Sequence, residues 1–256
     1  MKTKYIWISF YVLYLLFFPQ ILKAEYVNCV IETKFQSPFR VSVGWNISGL
    51  TLDIPLGKLR YRGSQFSNGV ELGFEYRKPE SLYFELHATG SLAREGFKAT
   101  YKQKEVKSEG SDPFLCDLAL QVGYNFLFRE NWLITPYAAL GNFFLGFPDH
   151  SHRGFEETMG YIGIGMKGDY SFEEGYDVGF NLQFFRNFSG HKKFKNDELD
   201  LRGWFRTPGV YLGFPGKVYL GSCFQWDVKC EPYILALSLG EKQLAYGIRL
   251  STGYHF

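Results

Sequence analysis

Apolar side chains alternate one for one with small or polar ones through most of this chain, and few folds tolerate that period. Successive side chains on a β-strand point to opposite faces, so a period of two marks a strand with one apolar face. Phe39, Val41, Val43 and Trp45 alternate with Arg40, Ser42, Gly44 and Asn46. Val70, Leu72, Phe74 and Tyr76 alternate with Glu71, Gly73, Glu75 and Arg77, and Leu82, Phe84, Leu86 and Ala88 with Tyr83, Glu85, His87 and Thr89. The same pattern runs from Cys116 to Phe126, from Ile162 to Phe172 and from Tyr176 to Phe184. It holds to the last residue: Ile248, Leu250, Thr252, Tyr254 and Phe256 share one face, and Gly247, Arg249, Ser251, Gly253 and His255 the other. No helical period of 3.6 competes over a long window. The stretch Trp132–Leu145 is apolar on both faces, so its phase cannot be read. Aromatic residues make up 19% of the chain, a composition that suits strands rather than helices.

Strands of roughly ten residues with one apolar face and one face of glycine and charge are the pattern of a transmembrane β-barrel. A soluble sandwich uses strands of about 5–6 residues and has no reason to crowd its wet face with glycine. Lipid cannot satisfy an open sheet edge, so the sheet must close and the last strand must pair with the first. The expected fold is therefore all-β, an antiparallel transmembrane β-barrel over residues 38–256.

The opposite end narrows the setting. Lys2 and Lys4 precede an apolar run from Tyr5 to Phe18, Pro19 breaks it, and Ala24 offers a small residue at an exit point. This reads as a secretory signal over 1–24, followed by a periplasmic segment over 25–37. Pro19 and Gln20 cut the run short of the roughly 20 residues an anchor needs. A net charge of +2 gives no argument for a nucleic-acid partner. Cys29, Cys116, Cys223 and Cys230 lack zinc-ligand spacing, and no metal or cofactor is expected.

Connections alternate in length. Short links fall at Lys78–Ser81, Arg129–Asn131 and Glu173–Glu174, and long polar ones at Ile47–Gln65, Ala93–Asp112, Gly146–Glu156 and after Asn187. An even count is required if both ends lie on the periplasmic side. Tyr219–Trp226 then reads as strand eight, Cys230-Glu231-Pro232 as a turn, Tyr233–Leu239 as strand nine and Leu244–Phe256 as strand ten. Leu199–Gly216 falls in the loop after strand seven, where it could extend the barrel as a hairpin; if it spans the membrane, a further strand near Lys58–Arg62 makes twelve. Ten strands are favoured, with twelve or eight as alternatives.

The closing residues Gly253-Tyr254-His255-Phe256 resemble the terminal-strand signature of bacterial outer-membrane barrels of the small, Gram-negative type. Tyr124-Asn125-Phe126 after Val122-Gly123 has the same look, as an aromatic girdle at one interface would require. The resemblance implies an outer-membrane, porin-like monomer surrounded by lipid and lipopolysaccharide. It also implies recognition of Ile248, Leu250, Tyr254 and Phe256 by the barrel-assembly machinery.

With the apolar faces toward lipid, Arg40, Lys167, Lys217 and Arg249 enter the lumen together with Glu71, Glu75, Glu85, Asp117, Asp169, Asp177 and Asp227. Isolated buried charges are costly, so these should pair into a network that largely plugs the barrel. The expected role is structural, adhesive or surface-interacting. A narrow pore is the alternative, since an open aqueous channel takes about 16 strands. Omptin proteases also have ten strands, and Asp149-His150 with His152 gives an Asp-His couple in an outer loop. The carboxylate pair such a protease needs could come only from Asp112 and Asp117, which is a poor match, so no catalytic residue and no enzyme activity are expected. Lys98, Lys102, Lys104 and Lys107 mark one basic outer loop, and His191, Lys192, Lys193 and Lys195 another. Cys116 should face lipid and Cys223 the lumen, while Cys29 and Cys230 at one rim could form a disulfide.

If Phe256 is the residue read during assembly, Phe256→Ser should lower the amount of folded protein in the outer membrane and leave export intact. Quantitative blotting of membrane and periplasmic fractions measures both, and unchanged outer-membrane levels would contradict it.

Overall fold

The computed structural model describes residues 38–256 except 57–58, 94–97, 102–103, 108–113, 130, 148–154, 173–174, 195–199, 204–207, 221–224 and 239–242. The expected signal, the segment over 25–37, Cys29 and Cys223 lie outside the described residues. The strands are β1 (Phe39–Leu56), β2 (Leu59–Arg77), β3 (Ser81–Ala93), β4 (Lys98–Tyr101), β5 (Lys104–Lys107), β6 (Phe114–Phe128) and β7 (Trp132–Phe147). They continue with β8 (Phe155–Ser171), β9 (Tyr176–Phe194), β10 (Asp200–Gly203), β11 (Pro208–Gly213), β12 (Gly216–Leu220), β13 (Trp226–Ser238) and β14 (Gln243–His255).

Every pairing is antiparallel, and β1 pairs with both β2 and β14, so the sheet closes on itself. The wall has ten staves: β1, β2, β3, β6, β7, β8, β9, the β11–β12 pair, β13 and β14. Strands β4, β5 and β10 extend neighbouring staves beyond the wall. The start of β1 and the end of β14, the two ends of the described barrel, meet at one mouth, the chain-end mouth, where the Phe256 N–H donates to the Phe39 carbonyl at 3.0 Å. The tight turns after β2, β6 and β8 lie at that mouth, and left-handed backbone at Glu80, Arg129 and Gly175 makes them possible.

The ten-stave count agrees with the sequence reading, but the eighth stave does not. Pro208–Leu220 forms it, as β11 and β12 with a break at Phe214-Pro215, so Leu199–Gly216 is not simply loop. Both pieces keep one register with each neighbour: Gly213 pairs with Asn181 and Tyr233, and Gly216 with Val178 and Cys230. Cys230-Glu231-Pro232 is the interior of β13 rather than a turn. Proline breaks a ladder by removing a donor. Here Phe214 N–H donates to the Pro232 carbonyl at 3.0 Å and Gly179 N–H to the Pro215 carbonyl at 2.8 Å, so the prolines act as acceptors beside the gap. Cys230 is consequently an exposed free thiol on the outer wall, and Cys29, with which it could pair, lies outside the described residues. Ile47–Gln65 is likewise not a loop: β1 and β2 stay paired from Phe39–Tyr76 to Leu56–Leu59.

The outer surface is a belt of exposed apolar side chains, among them Val43, Trp45, Leu72, Leu86, Leu118, Leu140, Ile164, Phe184, Ile234 and Ile248. Exposed apolar area on this scale is stable only against hydrocarbon. Aromatic pairs ring the belt at the mouth holding the chain ends. They include Phe39 with Phe256 at 5.7 Å between centroids, Tyr124 with Phe126 at 4.8 Å, Trp132 with Tyr170 at 5.1 Å and Trp226 with Tyr254 at 4.8 Å. Toward the far edge polar residues join the exposed face, at Asn68, Asn142 and Arg186, among apolar ones such as Phe66 and Leu92. Cys116 faces outward, as expected.

Closure brings backbones too close for some side chains. A Cβ on Gly247 would lie 2.3 Å from the Ile47 carbonyl oxygen across the β1–β14 seam. Gly247→Ala should therefore destabilise the barrel by about 1–3 kcal/mol, read as a lower urea midpoint in detergent. An unchanged midpoint would show that the seam can widen at no cost.

Candidate functional site

Inward-facing side chains divide the lumen into two layers. Nearest the chain ends lies a charged layer. Arg40 on β1 donates from Nε and Nη2 to both Asp227 oxygens, at 2.6 and 2.7 Å, and His255 Nε2 lies 2.8 Å from the same carboxylate. This bidentate pair spans β14, which lies between β1 and β13, and passes over Gly253. A Cβ there would sit 2.4 Å from Arg40 Nε and 2.5 Å from Asp227 Oδ2. Beside it, Tyr219 donates to Asp177 at 2.7 Å.

Deeper in, Arg77 pairs with Asp169 and donates to Thr135 at 3.2 Å. Lys167 pairs with Glu85 and contacts the Tyr83 hydroxyl, which also donates to Glu85. Lys229 pairs with Glu231 at 2.5 Å, and Tyr211 donates to Glu231 at 2.6 Å. Arg249 lies over the Tyr211 and Tyr233 rings, 5.2 and 4.5 Å from their centroids, and 3.6 Å from Glu71. His87 approaches Glu71 at 3.5 Å. These longer contacts leave Glu71 Oε2, His87 Nε2 and Arg249 Nε without hydrogen-bond partners. They line a cavity of about 70 Å³, enough for a few waters. A second cavity of about 50 Å³ opens at the chain-end mouth, and Glu75, Arg77, Asp169 and Lys217 line both.

Toward the other mouth an apolar cluster fills the lumen, with the buried polar side chains Asn187, Glu157 and Gln243 at the same end. Leu50, Phe143, Leu145, Met159, Phe185, Leu237 and Ala245 form one buried cluster with Ala119 and Tyr161, and Leu115 and Leu235 pack against it. Tyr161 joins the layers, donating to Asp117 at 3.1 Å.

All eleven residues assigned to the lumen from sequence, Arg40, Glu71, Glu75, Glu85, Asp117, Lys167, Asp169, Asp177, Lys217, Asp227 and Arg249, lie on the inward face. Arg77, Lys229 and Glu231 belong to the same network and were not assigned to it. Arg77 precedes a turn, Glu231 falls within the turn expected at Cys230-Glu231-Pro232 and Lys229 just before it, although β13 continues their neighbours' alternation. Among the assembly residues, Ile248, Tyr254 and Phe256 are exposed on the outer wall and Leu250 is half-buried there. Asp112, Asp149, His150 and His152 lie outside the described residues. Among the described residues no cluster of His, Cys, Asp or Glu could hold a metal ion.

The sequence matches no protein-family model and no curated protein. Solved structures do resemble the fold. The outer membrane protease OmpT from Escherichia coli superposes with a TM-score of 0.55 at 8% identity, covering 85% of this chain and 96% of that one. The translocator domain of the autotransporter NalP from Neisseria meningitidis gives 0.44 at 12% identity, covering 99% and 100%. Neisserial surface protein A gives 0.39 at 12%, covering 86% and 98%. At such identities the likeness is one of architecture. The chain folds as a ten-stranded antiparallel barrel of the Gram-negative outer-membrane type.

Asp227 is fully buried and its charge is met by Arg40 and His255. Asp227→Ala should cost about 3–5 kcal/mol, because it leaves Arg40 as an uncompensated buried charge. The double variant Arg40→Met/Asp227→Leu should recover most of that loss. Urea unfolding of the three proteins gives the comparison; equal midpoints for wild type and Asp227→Ala would dismiss the clamp.

Proposed function

We propose that this protein is an outer-membrane barrel with a closed lumen that serves a structural or surface-interaction role, and is not an enzyme. The observation that supports a closed lumen most directly is the apolar layer. Leu145 is 0% exposed, Phe143 2%, Met159 3% and Leu237 3%, although these side chains point into the barrel. An aqueous pathway needs a polar lining or enough width for water to persist, and a constriction lined by such side chains gates by dewetting. On this reading the charged layer fixes barrel geometry, and the surface beyond the far mouth carries the interactions. Lipopolysaccharide around the wall and the assembly machinery acting on the last strand are the partners this role implies.

A narrow pore is the second reading. The two cavities that share Glu75, Arg77, Asp169 and Lys217 favour it, since together they carry a polar path from one mouth to mid-barrel. It would need the apolar layer to part.

Planar-bilayer recording separates the two. Wild-type protein should give no regular conductance steps in molar salt, and Phe143→Ser/Phe185→Ser should give them. Regular steps from wild type would establish the pore reading instead.

A further inference from the structure

Strand β11 meets an interruption of the ladder at each end. It begins at Pro208 and stops at the Phe214-Pro215 break. At the break, Phe214 N–H donates to the Pro232 carbonyl and Gly179 N–H to the Pro215 carbonyl. In a closely bonded antiparallel pair each residue gives one bond and takes one. Pro232 and Pro215 have no N–H to give, so the carbonyls of Phe214 and Gly179 lack their return bonds, one on each flank of stave eight. At the other end β13 carries a bulge between Ala236 and Ser238. Pairing of β11 with β13 therefore runs only from Val210–Ala236 to Gly213–Tyr233, whereas β14 pairs with β1 from Arg40–His255 to Thr51–Leu244. Pro136 by contrast interrupts the β6–β7 ladder on one side, and β7 keeps its full register with β8.

The break is deep in the membrane. Pro232 stands six residues from Trp226 of the aromatic ring, about 20 Å along the strand. At a tilt of about 40° that is a rise of about 15 Å into an apolar band about 25 Å tall. A carbonyl without a donor is costly there. Pro215 also lines the 70 Å³ cavity, together with Asn181, Lys217 and Glu231, so a space with room for water backs the break.

What β11 carries connects it to the closure of the lumen. Its Gly209 seats the Phe185 ring: a Cβ there would lie 2.2 Å from Phe185 Cζ. Phe185 belongs to the apolar cluster and packs on Tyr161 at 5.1 Å between centroids. Two residues on, Tyr211 donates to Glu231 at 2.6 Å and accepts from Arg249 Nη1 at 3.2 Å. One short strand thus holds the seat of a closing ring and a tie to the charged layer.

We propose that β11 is the gate of this barrel, a panel that yields at its two interrupted ends and whose movement takes Gly209 from under Phe185, so that the apolar layer parts. Water from the cavity serves the Phe214 and Gly179 carbonyls in place of the missing rungs. Segments that open locally are those held by the fewest protected backbone bonds, and β11 has fewer of them than the β1–β14 seam. The inference rests on the apolar layer as the closure of the lumen.

The test uses full-length protein folded in detergent. Amide hydrogen exchange, read by mass spectrometry of peptic peptides, should be at least tenfold faster over 209–214 than over 245–251. Pro215→Ala/Pro232→Val supplies both missing N–H groups and should slow exchange over 209–214 at least tenfold while leaving 245–251 unchanged. Gly209→Ala should give regular conductance steps in planar bilayers with Phe143 and Phe185 both in place, because its Cβ displaces the Phe185 ring. Heat-modifiable migration reports whether each variant is folded, and if neither folds, the exchange comparison in wild type decides. Equal exchange in the two segments, a repaired barrel that exchanges like wild type, or a folded but silent Gly209→Ala would overturn the gate. A wild type that conducts would overturn the closed lumen, and fast exchange over 209–214 would then assign β11 as a gate that stands open.

Discussion

Hydrocarbon offers no partner for a peptide N–H or C=O, and each group left unpaired there costs several kcal/mol. The seam between β1 and β14 answers that constraint, running in one register from Arg40–His255 to Thr51–Leu244. Without it the sheet has two long edges in lipid; with it, ten staves share their hydrogen bonds around a ring. Much else follows from the closed ring. Narrow circumference lets side chains meet across the lumen, which is why Arg77 on β2 reaches Asp169 on β8, four staves away around the ring, and Lys167 on β8 reaches Glu85 on β3, three away. It also brings backbones so near one another that Gly123 sits where a Cβ would lie 2.1 Å from the Pro136 carbonyl.

The alternation made most of this legible, because a barrel wall writes its two environments directly into the sequence. It failed where the environments are less distinct. Trp132–Leu145 could not be phased because its inward residues Leu133, Tyr137, Ala139, Phe143 and Leu145 are themselves apolar. That ambiguity was the trace of the apolar layer in the lumen, visible in sequence only as a missing contrast. Stave eight was lost for a different reason. Pro215 and Pro232 carry the ordinary signal of a chain reversal, and nothing local says that the two fall on neighbouring staves beside a shared break. Only the pairing of Gly213 and Gly216 with both neighbours shows that the strand resumes in register.

The charged layer was partly readable for the same physical reason. Residues such as Glu71, Lys167 and Arg249 stand between apolar neighbours and can point only inward. Lys229 and Glu231 have the same spacing, but the supposed turn masked it, and Arg77, although on the polar face of its strand, stands beside the turn at Lys78-Pro79 and was left out of the lumen charges. Which cation meets which carboxylate depends on barrel width and stagger, so pairs such as Arg40–Asp227, 187 positions apart, had no sequence signal. Tyrosines were likewise read as general strand formers, yet Tyr83, Tyr211 and Tyr219 are buried and direct their hydroxyls at carboxylates inside the barrel.

The clamp over Gly253 bears on the order of events. Arg40 and Asp227 stand on strands that touch only through β14, so their side chains can meet only across a seated last strand. Until then the two charges are strangers, and once they meet they lie on the inner side of the strand that joined them. Such a contact forms late and must break early, so it acts chiefly on the rate of opening rather than of closing. A barrel built this way behaves like a hoop fastened from within: its ends find each other at the speed of strand docking, and they part only after the fastening has been undone.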